Sequence, residues 1–305
     1  MKVIFQFLMF CFSVALAAQS PTSPDIIQQS LEKKQQVMQS SMVKNIAFTN
    51  IGPTVMSGRV ADVAVNPEDT TEFYVGYASG GLWYTNNNGT TFTPVLDNSP
   101  TQNIGDIAVD WPSGTLWVGT GEKNASRSSY AGIGMLKSTD KGATWINVGL
   151  LDSHHVSRIL INPKNADEVI VGVIGHLYSS NTERGIFKTK DGGKTWSHAL
   201  FINKDAGIID VAVAPENFNI MYAASWERDR KAWNFDGDGN HSGIYKSTDA
   251  GTSWNKIAEK SGFPTGNGVG RIGLAVFNEN TVYALHDSQF RRPKDTTKKA
   301  SDELS

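Results

Sequence analysis

Two glutamates stand in the longest polar insertions of the sequence. Glu122 opens "EKNASRSSYAGI" and Glu227 lies second in "WERDRKAWNFDGDGNHS". Hydrolysis of a glycosidic bond needs two carboxyl groups flanking that bond, one of them kept protonated by its surroundings. Glu122 and Glu227 are therefore the candidate catalytic pair, with Asp106 in reserve. The same two insertions carry Asn124, Arg127, Trp226, Arg228 and Trp233, and a third, "HLYSSNTER", opens with His176. Arg59 and the "DSHH" that contains His154 and His155 stand just before apolar stretches. Aromatic faces stack on ligands while Arg and Asn supply hydrogen bonds, so these nine residues are the candidate ligand-binding set for a peptide, a protein or a glycan. A second reading stays open, in which the insertions pack on one another through Glu122–Arg127 and Glu227–Arg230 ion pairs.

Metal chemistry finds less support. "DGDGN" at 236–240 begins like a calcium loop, but His241 stands where such a loop needs Gly, and Ser247 where it needs a bidentate Glu. His154, His155 and His176 lack the spacing of a zinc motif. Neither a metal nor a cofactor is predicted.

What positions these residues is a repeat. "STDKGATW" at 138–145 returns as "TKDGGKTW" at 189–196 and "STDAGTSW" at 247–254, and "TNNNGTTF" from Thr85 is a weaker first copy. The copies start 53, 51 and 58 residues apart, the length of one four-stranded propeller blade. Before each copy come two apolar runs separated by Pro, Asn, Asp or Gly, such as "IGDIAVDWP" and "TLWVGTG". A third run, such as "GIYKS", leads into the copy itself. Within the copy, Ser or Thr and Asp can bond the backbone, Gly can take positive φ, and Trp can bury its ring. Asp140, Gly142 and Trp145, Asp191, Gly193 and Trp196, and Asp249, Gly251 and Trp254 are thus predicted to build hairpin turns between third and fourth strands. In such a blade, loops joining strands two and three share one rim with the inter-blade loops, and the turns occupy the other. The polar insertions all fall on the first rim.

The "SxDxGxTW" copies resemble the Asp-box, or BNR repeat, of sialidases, sortilin-type ectodomains and several propeller glycoside hydrolases. The wider wording, including "GTGEKNASR", "DSHHVSRILINP" and "WERDRKAWNFDGDGNHSGIYKSTDAGTSW", resembles secreted bacterial proteins of the sortilin N-terminal-like or BNR-repeat glycosyl hydrolase-like family, over residues 47–288. That resemblance implies an all-β propeller whose loop rim binds a ligand, with glycoside hydrolysis as the alternative. A sialidase would need three arginines, for which Arg59, Arg127, Arg158, Arg184 and Arg228 are available, but Arg59 is followed by Val60 and Ala61 rather than Ile-Pro.

The remaining features set the context. With 28 Lys plus Arg against 30 Asp plus Glu, the chain carries no basic footprint for nucleic acid or an anionic membrane. Residues 1–17 read as a signal peptide, with Lys2, an apolar run and Ala15-Leu16-Ala17, which predicts a secreted, periplasmic or cell-surface protein with no membrane span after cleavage. Cys11, the single cysteine, lies in that segment. Residues 18–46 are expected to form an amphipathic helical leader. After four blades a fifth begins at "VGRIGLAVFNENTVYALHDS", and 289–305 form a polar tail. The N-terminal part of a longer propeller is therefore expected, with further blades of the same protein as partner.

Overall fold

The computed structural model describes residues 20–46, 58–257, 261–264 and 266–290; the predicted signal peptide and the tail from 291 lie outside the described residues. The chain divides into two compact units after Ala47. In the first, α1 (Pro24–Ser40) starts from Ser23, whose extended backbone (φ -68, ψ 150) puts Pro in the first turn as the sequence suggests. The Ser23 carbonyl, not its hydroxyl, meets the Ile26 and Ile27 amides, both at 3.1 Å. None of the residues of α1 is buried.

The second unit is a β-propeller of antiparallel blades. Blade one comprises β1 (Val60–Val65), β2 (Phe73–Tyr77), β3 (Gly81–Thr85) and β4 (Thr93–Pro94). Blade two comprises β5 (Ile104–Asp110), β6 (Thr115–Thr120), β7 (Met135–Ser138) and β8 (Ile146–Asn147). Blade three comprises β9 (Val156–Asn162), β10 (Asn165–Val173), β11 (Gly185–Thr189) and β12 (Ser197–Leu200). Blade four holds β13 (Ala206–Ala214) and β14 (Asn217–Glu227), then a side hairpin of β15 (Asp229–Arg230) and β16 (Phe235–Asp236), then β17 (Gly243–Ser247) and β18 (Asn255–Lys256). β19 (Val269–Asn278) and β20 (Thr281–Ser288) pair as the start of a fifth. The innermost strands β1, β5, β9, β13 and β19 lie against one another in that order.

Apolar side chains fill the gaps between blades. Tyr74, Leu82 and Leu96 of blade one pack on Ile104, Leu116 and Leu136 of blade two. Trp117 and Met135 of blade two pack on Val156, Val171 and Phe187 of blade three. Ile170 and Ile186 then meet Ile208, Met221 and Tyr245, and Ile209, Tyr222 and Trp226 meet Val269 and Ile272. Each interface thus buries aliphatic surface from two sheets, the main favourable contribution to holding blades together.

A polar bond between innermost strands accompanies this packing. The Asp62 carboxylate accepts the Ile107 amide at 3.3 Å, Asp106 accepts Ile159 at 2.8 Å and Asp210 accepts Leu274 at 2.9 Å. Each Asp thus reaches across to the inner strand of the next blade. Blade three carries Arg158 at this position, and its guanidinium lies 2.9 Å from Asp210 and 3.6 Å from Asp106 on either side. Asp106 is fully enclosed and also bonded to Lys123 at 2.8 Å, so it links blades and has no access to substrate. Burial pushes its carboxyl up to about 6, against the pull of Lys123 and Arg158.

The repeated octapeptides form the turns between third and fourth strands. In blade two, Asp140 Oδ1 accepts the Ser138 hydroxyl at 2.7 Å and the Thr144 amide at 2.8 Å, while Ser138 Oγ accepts the Gly142 amide at 2.8 Å. Thr189, Asp191 and Gly193 repeat the pattern, as do Ser247, Asp249 and Gly251. The three glycines take φ of 93, 89 and 73°. The indole N–H groups of Trp145 and Trp196 each donate to a carbonyl of the preceding blade, Val95 and Val148, both at 2.7 Å. Trp254 instead donates within its own turn, to Gly251 at 3.1 Å.

Candidate functional site

β14 brings the first set of functional side chains to the loop rim. Its final residues Trp226 and Glu227 pair with Gly207 and Ala206 of β13, which fixes where Arg228 and the β15–β16 hairpin begin. Trp226 is not a stacking platform: its ring is buried, its N–H donates to the Gly237 carbonyl at 2.7 Å, and it meets Phe235 edge-on. It is the post on which the hairpin rests. Trp233, at the hairpin tip, is 81% exposed and keeps a free face.

A cleft of about 480 Å³ opens beside this hairpin. Glu227, Asp229, Asp236 and Asp238 line it from blade four together with Lys231, whose Nζ pairs with Asp229 at 2.8 Å, and Tyr178, Asp205, Arg184 and Arg228 line it as well. Glu227 accepts the amide of His241 at 2.8 Å and faces its Nδ1 at 3.0 Å, so the ion pair with Arg230 considered from sequence does not form. One carboxylate oxygen of Glu227 is held by these bonds.

Glu122 lies apart from this cleft and its environment is unlike that of a general acid. It is 1% exposed, and its two oxygens accept Arg59 Nε at 2.7 Å, Arg59 Nη2, Asn124 Nδ2 at 3.0 Å and Ser129 Oγ at 2.9 Å. Burial alone would raise its pKa, but the bonds from Arg59, Asn124 and Ser129 outweigh it and hold the carboxyl below its usual range. A group so held stays ionised and enclosed. Its partner is Arg59, not the Arg127 of the second reading, which is exposed. Asn124 extends the chain of bonds to Arg271 of the fifth blade at 2.9 Å.

The three histidines gather, as their shared rim implies, but mostly inside the wall. His154 stacks on His176 with ring centroids 3.6 Å apart, and His155 is buried beside them. Burial, reinforced by His176, lowers His154 to about 4; burial, reinforced by Arg228, lowers His155 to about 3. Asp152, His154 and His176 bring possible ligand atoms within 4.8 Å of one another, a donor set that transition metals use. Here the His176 ring has both nitrogens engaged, with Asp152 at 3.0 Å and Ser179 at 2.8 Å. Arg184 adds positive charge next to it by donating to the His176 carbonyl. The cluster braces the rim.

Two further hollows differ in character. One of about 550 Å³ lies on the turn rim against Lys137, Asp191 and Trp196, where Asp191 is already bonded within its turn. One of about 300 Å³ is lined by Glu183, Phe187, His198 and Phe201. Burial pushes Glu183 up to about 7, the property sought in Glu122, although its carboxylate also accepts the Asp152 amide at 2.6 Å. Glu183, Asp205 and Tyr178 stand out in no sequence motif, because nothing in a local motif shows which residues of a loop turn inward.

No family model matches the chain. A xyloglucanase of Paenibacillus sp. is 26% identical over 227 residues, covering 66% of this chain and 21% of that protein. A probable oligoxyloglucan-reducing end-specific xyloglucanase of Neosartorya fischeri is 26% identical over 153 residues, covering 44% of this chain and 17% of its own length. The chain thus spans about a fifth of the length of the curated relatives it matches. Among solved structures, an ancestral GH74 enzyme superposes with a TM-score of 0.57 at 18% identity, over 78% of this chain and 30% of that one. The GH74 xyloglucanase from Xanthomonas campestris gives 0.51 at 15% identity, over 74% and 35%. What this chain shares with these structures is the β-propeller fold. Among the described residues no helix is long and apolar enough to cross a membrane.

Proposed function

We propose that the cleft beside the β15–β16 hairpin is a carbohydrate site of glycoside-hydrolase type, directed at a β-linked glucan chain such as the backbone of xyloglucan. The observation that carries this is the gathering of Glu227, Asp229, Asp236 and Asp238 around one open cleft, in a chain whose sequence relatives are named xyloglucanases. Carboxylates accept hydrogen bonds from sugar hydroxyls, and Tyr178 and Trp233 offer exposed aromatic faces on the same rim. This favours the hydrolase-like side of the resemblance over peptide capture. In this reading Glu227 is the first candidate for the reacting carboxyl and Asp236 or Asp238 for its partner across the bond, while Glu122 serves to hold blades one and two together. Export to the cell surface or medium accords with a polysaccharide ligand.

Incubation with xyloglucan and with cellotetraose, followed by reducing-end assay and calorimetric titration, tests the proposal. Binding of either glycan, with turnover lost on Glu227→Gln, is the expected result. Binding without turnover in the parent chain would leave a glycan-binding propeller. Absence of binding to both would overturn the reading.

A further inference from the structure

Two buried arginines line the cleft without a carboxylate within ion-pair distance among the described residues. Arg184 is 1% exposed and, among the described residues, donates to neutral groups: Asn181 Oδ1 at 2.8 Å and the carbonyls of Asp205, Ser179 and His176. Arg228 is 6% exposed and donates Nη1 to the His176 carbonyl at a long 3.3 Å. Its Nε is buried and bonds no group among the described residues. The remaining support is the face of Trp226, 5.5 Å from the guanidinium carbon. A guanidinium withdrawn from water without a counter-charge is costly, and a carboxylate paired with it offsets that cost. Burial, then the nearby Arg184, depress Arg228 to about 9. At neutral pH both groups still carry their charge.

We propose that this end of the cleft binds the carboxylate of a uronic acid residue, taken on Arg228 with Arg184 behind it. The inference rests on the carbohydrate reading above, and it specifies the class of sugar. A planar carboxylate matches the guanidinium fork, so the geometry suits a uronate. Glu227, Asp236 and Asp238 share the cleft and repel further negative charge, whereas Asp229 is paired with Lys231. The ligand is therefore an isolated uronate among neutral sugars and not a polyuronate.

Calorimetric titration of the full chain with cellotetraose, and with the same tetraose carrying one glucuronate, separates this inference from the reading it rests on. The acidic tetraose is expected to bind at least about tenfold more tightly than the neutral one. Arg228→Gln should lower the acidic affinity about tenfold more than the neutral affinity, with Arg228→Lys retaining part of the preference. A melting curve matching the parent's certifies the fold of each variant. Equal affinity for the two tetraoses would overturn the uronate site and leave the carbohydrate cleft standing. Binding of neither would remove both. Tighter binding of a short peptide through its free C-terminal carboxylate would overturn the uronate assignment as well.

Discussion

Glu122 is an enclosed carboxylate whose bonds to Arg59 join the loop after β6 to the residue that precedes β1. The sequence marks it as a carboxyl on the loop rim, which it is; its partner Arg59 lies 63 residues earlier in another blade, so no local spacing reveals the ion pair. Asp106 and Glu227 share this limit, because Ile159 and His241 reach them only once the sheets are assembled. Glu122→Gln is expected to destabilise the chain by about 1.5–3 kcal/mol in urea denaturation, nearer the lower figure because Arg59 is 51% exposed. Its effect on glycan affinity should be small. The folded pKa of Glu122 lies below its unfolded value, so its contribution is present above about pH 4.3 and is lost as pH falls through the folded value. The variant should lack that acid-side loss, and an unchanged acid limb would count against the ion pair as described.

At the scale of elements, the repeated turns were legible because every bond that makes them lies within eight consecutive residues. Gly193 has φ of 89°, and a Cβ there would come within 3.0 Å of Trp117, so Gly193→Ala should cost at least about 1–2 kcal/mol. Thermal melting of the variant measures this; a melting temperature equal to the parent's would contradict the turn geometry. The inner-strand links were not legible. Each depends on a register shift just before the Asp, between Val60 and Asp62, Ile104 and Asp106, and Ile208 and Asp210, which turns the carboxylate towards the next blade. Asp106 has a folded value near 6, above its unfolded value of about 3.9, so the native state holds that proton more tightly. The stability it contributes is present below about pH 4 and is lost as pH rises to about 6. Asp106→Asn should flatten that part of the stability curve, and an unaltered slope would show that another group titrates there.

For the molecule as a whole, spacing and strand order disclosed the propeller and the rim on which its insertions collect. They did not disclose that blade four, through β14 and the β15–β16 hairpin, builds the cleft while blade two's insertion is drawn into the Arg59–Glu122–Asn124–Arg271 chain of bonds. The two rims therefore differ in kind: turns fixed by their own hydrogen bonds on one, a carboxylate-lined cleft on the other. Hydrogen–deuterium exchange of the full chain with and without a xyloglucan oligosaccharide tests this division most directly. Slower exchange is expected in residues 176–184 and 227–240, around the cleft. Protection confined to residues 137–149 and 191–196, on the turn rim, would contradict it.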